Sequence, residues 1–387
     1  MDPAIRQLLA VVRCRDAGGA EALSAALSAA DWGELLRAAE AHRMLGLTFR
    51  RSTDFCRDAP PPSAQSALSA AYRASSTRAL RQEARLLDVI TRLDAAGVPA
   101  VPLKGPLLST LVYGEAGLRY SSDLDVLVRV DDFPTAARTL AASGWCPASQ
   151  AQVAQHGFLE EAECELLLEH PGTGLFLELH WRTGSRFGHA SLPAEPLIAR
   201  AEPCELLGRS VRCLRDDDHF LVLCMHGATH VWGHLELIGT VAELLTQGRV
   251  ADWGDLLRRA RALGCRRRVL VAAALARGLA GVILPEAVEA ELAGDEGAER
   301  LARQAAAALE AVPGPRSSRR RLYDLVWQSA CLDSTPARLR HLLARVFVPG
   351  VVDLDWMPLP RPLFGVYYVL RPLRLMAQHA RGAVRSG

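Results

Sequence analysis

The apolar residues of this chain change period twice, from helical to alternating near Val98 and back to helical after about residue 215. Such a chain must build one small sheet and cover it with helices. Ahead of Val98, Asp31 stands as an N-cap before Leu35, Leu36, Ala39 and Met44 at helical spacing. Pro60-Pro61-Pro62 interrupts, and Ser63 is expected to cap a long helix running to about Ala96, with Gly97 ending it. Residues 98–103 are apolar and Pro-interrupted, as an edge strand is. Lys104-Gly105-Pro106 reads as a turn into a helix. Residues 123–130 alternate as a strand, and Asp131 or Asp132 is expected to cap the helix that ends at Gly144. Residues 164–169 and 175–181 form a hairpin around Pro171-Gly172-Thr173-Gly174. Further helices are predicted over 219–231, 234–247, 252–263, 266–279, 286–311 and 318–331, the first opened by the acidic run Asp216-Asp217-Asp218.

These elements predict an α+β fold with a small mixed sheet. An N-terminal helical region takes residues 1–97, the α/β core 98–214, a helical bundle 215–312 and a helical, Pro/Arg-rich segment 313–387. With 387 residues, two or three domains are expected. The 45 basic and 43 acidic residues nearly cancel, which argues against long nucleic acid as a partner. Nine cysteines without CxxC pairs argue against a disulfide framework and a structural zinc, and read as small core residues. No basic–apolar–small stretch follows Asp2-Pro3 and no run of 18 apolar residues occurs, so a cytoplasmic chain without a transmembrane segment is expected.

The chemistry centres on acids. In a strand Asp123 and Asp125 point to one face while Leu124, Val126 and Val128 point to the other. Two adjacent carboxylates repel unless a cation lies between them, and hard oxygens suit Mg²⁺ or Mn²⁺. Acid-x-acid triplets are weak signals alone, since about four or five arise by chance in a chain with this many acids. Glu178 strengthens the case. It lies mid-strand in Leu175-Phe176-Leu177-Glu178-Leu179-His180-Trp181, sharing a face with Phe176 and His180, where an unpaired acid is costly.

The set Leu103-Lys104-Gly105, Tyr113, 118–128 (Leu-Arg-Tyr-Ser-Ser-Asp-Leu-Asp-Val-Leu-Val) and Leu177-Glu178-Leu179-His180-Trp181 resembles an uncharacterised nucleotidyltransferase family of the DNA polymerase β-like superfamily. Asp31-Trp32, the His226/His230 helix, Asp252-Trp253 and the Pro-rich tail extend the resemblance over most of the chain. It implies that Asp123, Asp125 and Glu178 are catalytic and hold Mg²⁺ or Mn²⁺, with an NTP as donor. Lys104, Gly105, Arg119, Ser121 and Ser122 would meet the nucleotide. A nucleoside monophosphate would pass to an acceptor, either a small molecule, a peptide natural product or a protein, with pyrophosphate leaving. Pro106 departs from the superfamily pattern, in which a serine follows the glycine; one backbone donor and one hydroxyl are lost there.

His226, His230 and His234 recur every four residues and are expected on one helix face. They read either as buried, hydrogen-bonded histidines or, for His226 and His230 with His180, as an acceptor pocket. Arg316, Arg319, Arg320 and Arg321 form a basic cluster, read as a solvated face. Residues 362–375 mix aromatic and apolar residues with arginines, and are expected to pack back on the chain rather than lie on a membrane.

Overall fold

A computed structural model describes residues 1–149, 152–153, 155–160, 162–184, 191–309 and 318–384. The fold is α+β. Strands β1 (Ala100–Pro102), β2 (Asp123–Val128), β3 (Cys146–Pro147), β4 (Glu165–His170) and β5 (Leu175–His180) form one sheet in the order β1-β2-β5-β4-β3. β1 lies at the edge, where Pro102 removes no central ladder bond. β2 and β5 run parallel, whereas β1–β2, β5–β4 and β4–β3 are antiparallel. A separate hairpin joins β6 (Glu202–Leu206) to β7 (Arg209–Cys213).

Strand alternation decides which face of the sheet is dry. Leu124, Val126 and Val128 of β2, with Leu177 and Leu179 of β5, pack on Leu86, Val89 and Leu93 of the helix Pro62–Ala95. Phe133 of the helix Phe133–Ala142 meets Trp181 edge-on at 4.9 Å. Each such leucine contributes about 1.5–3 kcal/mol by leaving water. A larger second core joins Leu8, Leu9 and Leu35 of the N-terminal helices to the helices Asp216–Thr229, Leu235–Thr246 and Arg266–Ala280. In the last of these every residue from Val269 to Ala276 is buried, so this helix is surrounded by protein.

Several local expectations are corrected. The helix Pro62–Ala95 is entered from Pro61, so Ser63 lies within its first turn and caps nothing. Asp132 occupies the N-cap position but its carboxylate takes the Arg129 guanidinium at 2.7 Å, not a helix amide. Asp216, Asp217 and Asp218 sit inside the first helical turn, where Arg200, Arg249 and Arg259 neutralise them. The predicted 286–311 helix is two, Glu286–Ala293 and Glu296–Ala308, because Asp295 starts a new one by accepting the Ala298 amide at 3.1 Å. Cys204 and Cys213 are joined as a disulfide across the β6–β7 hairpin, so not every cysteine is a free core residue. Arg316 and the 312/313 boundary fall outside the described residues; Arg320 pairs with Asp324 at 3.0 Å.

Three buried histidines make stability depend on pH. Burial lowers His42, His219 and His341 each to about 4. The unfolded chain protonates these rings near 6.5, so their contribution is complete above that value and is lost as pH falls toward 4. Each ring can remove up to about 1.4 kcal/mol per pH unit in that window. The melting temperature should therefore fall steadily from about pH 7 to about pH 5. A flat profile over that range would show that these rings do not stay neutral in the fold.

Candidate active site

The parallel pairing of β2 and β5 sets Asp125 opposite Glu178, Asp123 opposite Phe176 and Leu127 opposite His180. Because the leucines and valines of both strands fill the core, Asp123, Asp125, Glu178 and His180 face the other way. They enter a cavity of about 440 Å³. Lys104, Gly105, Arg119, Ser121 and Ser122 line the same cavity, and His226, His230 and His234 close it from the helical side. The structure thus brings together every residue singled out for chemistry in the sequence.

Asp125 is the most enclosed acid of the cavity, at 3% exposure. Its Oδ1 accepts from Lys104 Nζ at 2.7 Å and lies 3.3 Å from His180 Nε2. The same Nε2 is 3.2 Å from Glu178 Oε2, while His180 Nδ1 is 3.3 Å from Glu165 Oε2. Glu165, which sequence reasoning missed, comes from β4, where it pairs directly with His180. One imidazole therefore spans three carboxylates.

The charges follow from that geometry. Burial acts to raise the Asp125 carboxyl, but Lys104 and His180 outweigh it and hold it well below the usual carboxylate range. Burial acts to strip the Lys104 proton, yet Asp125 and Glu178 hold the ammonium above the ordinary lysine value. His180 is likewise raised well above a free imidazole: burial opposes its charge, and Glu165 and Asp125 prevail. Asp123 and Glu165 are raised, first by burial and then by neighbouring carboxylates. Lys104 and His180 are the cations paired with Asp125, and Arg43, Arg119 and Arg345 line the same cavity.

Two glycines let the backbone reach this place. Gly105 has φ +71°, and a Cβ there would lie 3.5 Å from the Asp123 carbonyl. Gly117, at φ +89°, packs against the helix Pro62–Ala95 so closely that a Cβ would meet the Ser76 backbone at 2.6 Å. That contact anchors the loop leading into β2. From this loop Ser121 donates to the Asp123 carbonyl at 2.8 Å and Ser122 to Asp123 Oδ2 at 3.1 Å. Arg119 is buried, with Nε 2.6 Å from Glu236 Oε1 of the helix Leu235–Thr246. Glu236 also escaped the sequence reading; its partner lies more than a hundred positions away.

The three histidines do not share one helix face. The helix Asp216–Thr229 ends before His230, and Val231 and Trp232 turn the chain at φ 52° and 50°. The Trp232 ring occupies the space a side chain at Gly227 would need, at 2.5 Å. His234 then precedes the next helix and lies 3.1 Å from the Ala41 carbonyl. His226 and His230 remain in contact, ring centres 4.5 Å apart and planes tilted by 56°, and His226 Nδ1 is 3.4 Å from Lys104 Nζ. Burial, with Lys104 and His230 beside it, keeps His226 well below a free imidazole, hence neutral.

Two groups of ligand atoms, each within 4.8 Å of one another, could hold a metal ion: Asp125, Glu178 and His180, and Cys164, Glu165 and His180. A family model described as "Uncharacterised nucleotidyltransferase" matches residues 28–281, and the chain belongs to that family. The match takes in the whole sheet. Searches of curated proteins and of solved structures return no match.

Proposed function

We propose that this chain moves a nucleoside monophosphate from an NTP to an acceptor hydroxyl and releases pyrophosphate, using Mg²⁺ or Mn²⁺ at Asp123, Asp125 and Glu178. The observation that carries this reading is the register of β2 against β5, which opposes Asp125 to Glu178 with Asp123 two residues away on the same face. The donors are hard oxygens, and burial, with Asp125 and Glu178 beside it, raises Asp123, which a divalent cation would offset. A divalent cation held by Asp123, Asp125 and Glu178 would supply positive charge to the triphosphate and to the attacking and leaving oxygens.

The protein's own groups do the rest. Lys104 offers an ammonium and Gly105 a close-lying backbone to the phosphates, and the serines hold Asp123 in place. The acceptor oxygen bonds to the α-phosphorus as the bond to the β-bridging oxygen breaks. Glu178, oriented by His180, takes the hydroxyl proton. Neutral His226, with His230 beside it, lines the acceptor side as a hydrogen-bonding group.

The test is transfer of label from α-labelled NTPs, with Mg²⁺ or Mn²⁺, into a cell extract supplying small-molecule and protein acceptors, with pyrophosphate measured in parallel. Glu178→Gln should lower turnover about 10²–10⁴-fold, as loss of a positioned base does, while leaving nucleotide affinity largely intact. Nucleotide binding without any transfer by the unmodified protein would favour a non-catalytic nucleotide-binding role.

A further inference from the structure

The helices after residue 334 turn their apolar faces outward. In Thr335–Phe347, Leu339, Leu342, Leu343, Val346 and Phe347 are all exposed, Leu339 by 57%. Their spacing of i, i+3, i+4, i+7 and i+8 is the one that normally meets a core. His341, on the opposite side, is the buried residue. The helix Tyr367–Val384 repeats the inversion: Val369, Leu373 and Met376 are exposed by 64%, 52% and 60%. Its inward side carries Tyr367 and Leu370 in a small apolar cluster, together with Arg371 and Arg374, which both bind the buried Asp353, at 2.5 and 2.7 Å. Arg371 also donates to the Arg345 carbonyl at 3.2 Å, tying the two helices side by side. Trp356 and Tyr368 are exposed in the same layer. Monomeric proteins seldom leave a continuous apolar surface of this kind in water.

We infer that this layer docks on an anionic lipid bilayer. Charge selects that occupant. From Thr335 to Val384 the sequence holds seven arginines, two aspartates and neither lysine nor glutamate. Arg371 and Arg374 are taken up by Asp353 and Arg345 lines the cavity of the candidate site, which leaves Arg338, Arg340, Arg361 and Arg381 against Asp355. Arginines flanking an apolar stripe, with Trp and Tyr among it, match a surface that is apolar below and negatively charged at its headgroups. A symmetric second copy would set arginines against arginines. No described helix is long and apolar enough to cross a membrane, so the contact lies in the plane of the surface. Residues 362–375 pack back on the chain as expected, through Phe364 and Tyr367 against Phe158; the proposal concerns the outer side of that layer and does not depend on nucleotidyl transfer.

The experiment is co-sedimentation of the full chain with vesicles of phosphatidylcholine alone and of phosphatidylcholine with about 30% phosphatidylglycerol. Binding should be at least about tenfold stronger to the anionic vesicles, and should weaken in about half-molar salt. Arg340→Ala should weaken it about fivefold. Leu343→Asp with Val369→Asp should weaken it at least about tenfold, because both side chains then resist insertion. Both positions are exposed, so melting temperatures should match the parent chain; the comparison of the two vesicle types stands even where a variant fails to fold. No binding to either vesicle, or equal binding to both, overturns the proposal. So does a dimer in light scattering that Leu343→Asp dissociates while lipid is ignored.

Discussion

Asp123→Asn should stop nucleotidyl transfer and leave the fold at least as stable as before. The two effects have one cause. Asp123 lies beside Asp125 and Glu178, and burial and their charges raise its carboxyl. Its carboxylate accepts from the Ser122 hydroxyl at 3.1 Å, which an Asn carbonyl can still accept from. The substitution therefore removes repulsion without opening a cavity or stranding a donor. Turnover should nonetheless fall at least about 10³-fold, because metal-assisted charge stabilisation is worth several kcal/mol and each 1.4 kcal/mol is tenfold. Metal-dependent nucleotide affinity should fall with it. Calorimetry of nucleotide binding and a thermal melt without ligand measure the two halves. Wild-type turnover in Asp123→Asn would dismiss the proposed mechanism. A large loss of stability would instead make Asp123 a structural residue.

Much of the site was legible in the sequence because strand alternation is a local rule. It alone placed Asp123 and Asp125 together, and Glu178 with His180, each set opposite a leucine-rich face. The hairpin turn at residues 171–174 also contained the Glu165–His180 pairing, since an antiparallel register follows from the turn; the signal was present and went unread. The opposition of Asp125 to Glu178 was not available in this way. β2 and β5 are parallel and joined through a long excursion, and a parallel register is fixed by packing far from either strand. The Arg119–Glu236 pair and the end of the histidine helix at Trp232 were hidden for a related reason. Both are set by a tertiary neighbour, Glu236 for one and the Gly227 cleft for the other, which local periodicity does not encode.

Replacing Lys104 with methionine should cost the ligand-free protein about 3–5 kcal/mol, and divalent metal should return part of that. Lys104 and His180 are the cations that face Asp125, and the Lys104 ammonium is the closer at 2.7 Å. Methionine fills a similar volume, so the loss is electrostatic: a 97%-buried carboxylate keeps only an imidazolium that Glu165 and Glu178 also share. His180 sets the expected value toward the lower end of the range. A divalent cation binding this enlarged negative charge stabilises only the folded state, by about 1.4 kcal/mol for each tenfold excess over its dissociation constant. The rise in melting temperature with millimolar Mg²⁺ or Mn²⁺ should accordingly be larger for Lys104→Met than for the unmodified chain, in which the ammonium already occupies part of the field. A potassium salt at matched ionic strength is the control, because general screening would act through it equally. Should the variant melt like the parent, Lys104 is not what neutralises Asp125. Should it be destabilised but respond to potassium as it does to magnesium, the carboxylates repel one another without forming a divalent site, and Asp125 and Glu178 would have to be assigned a different role.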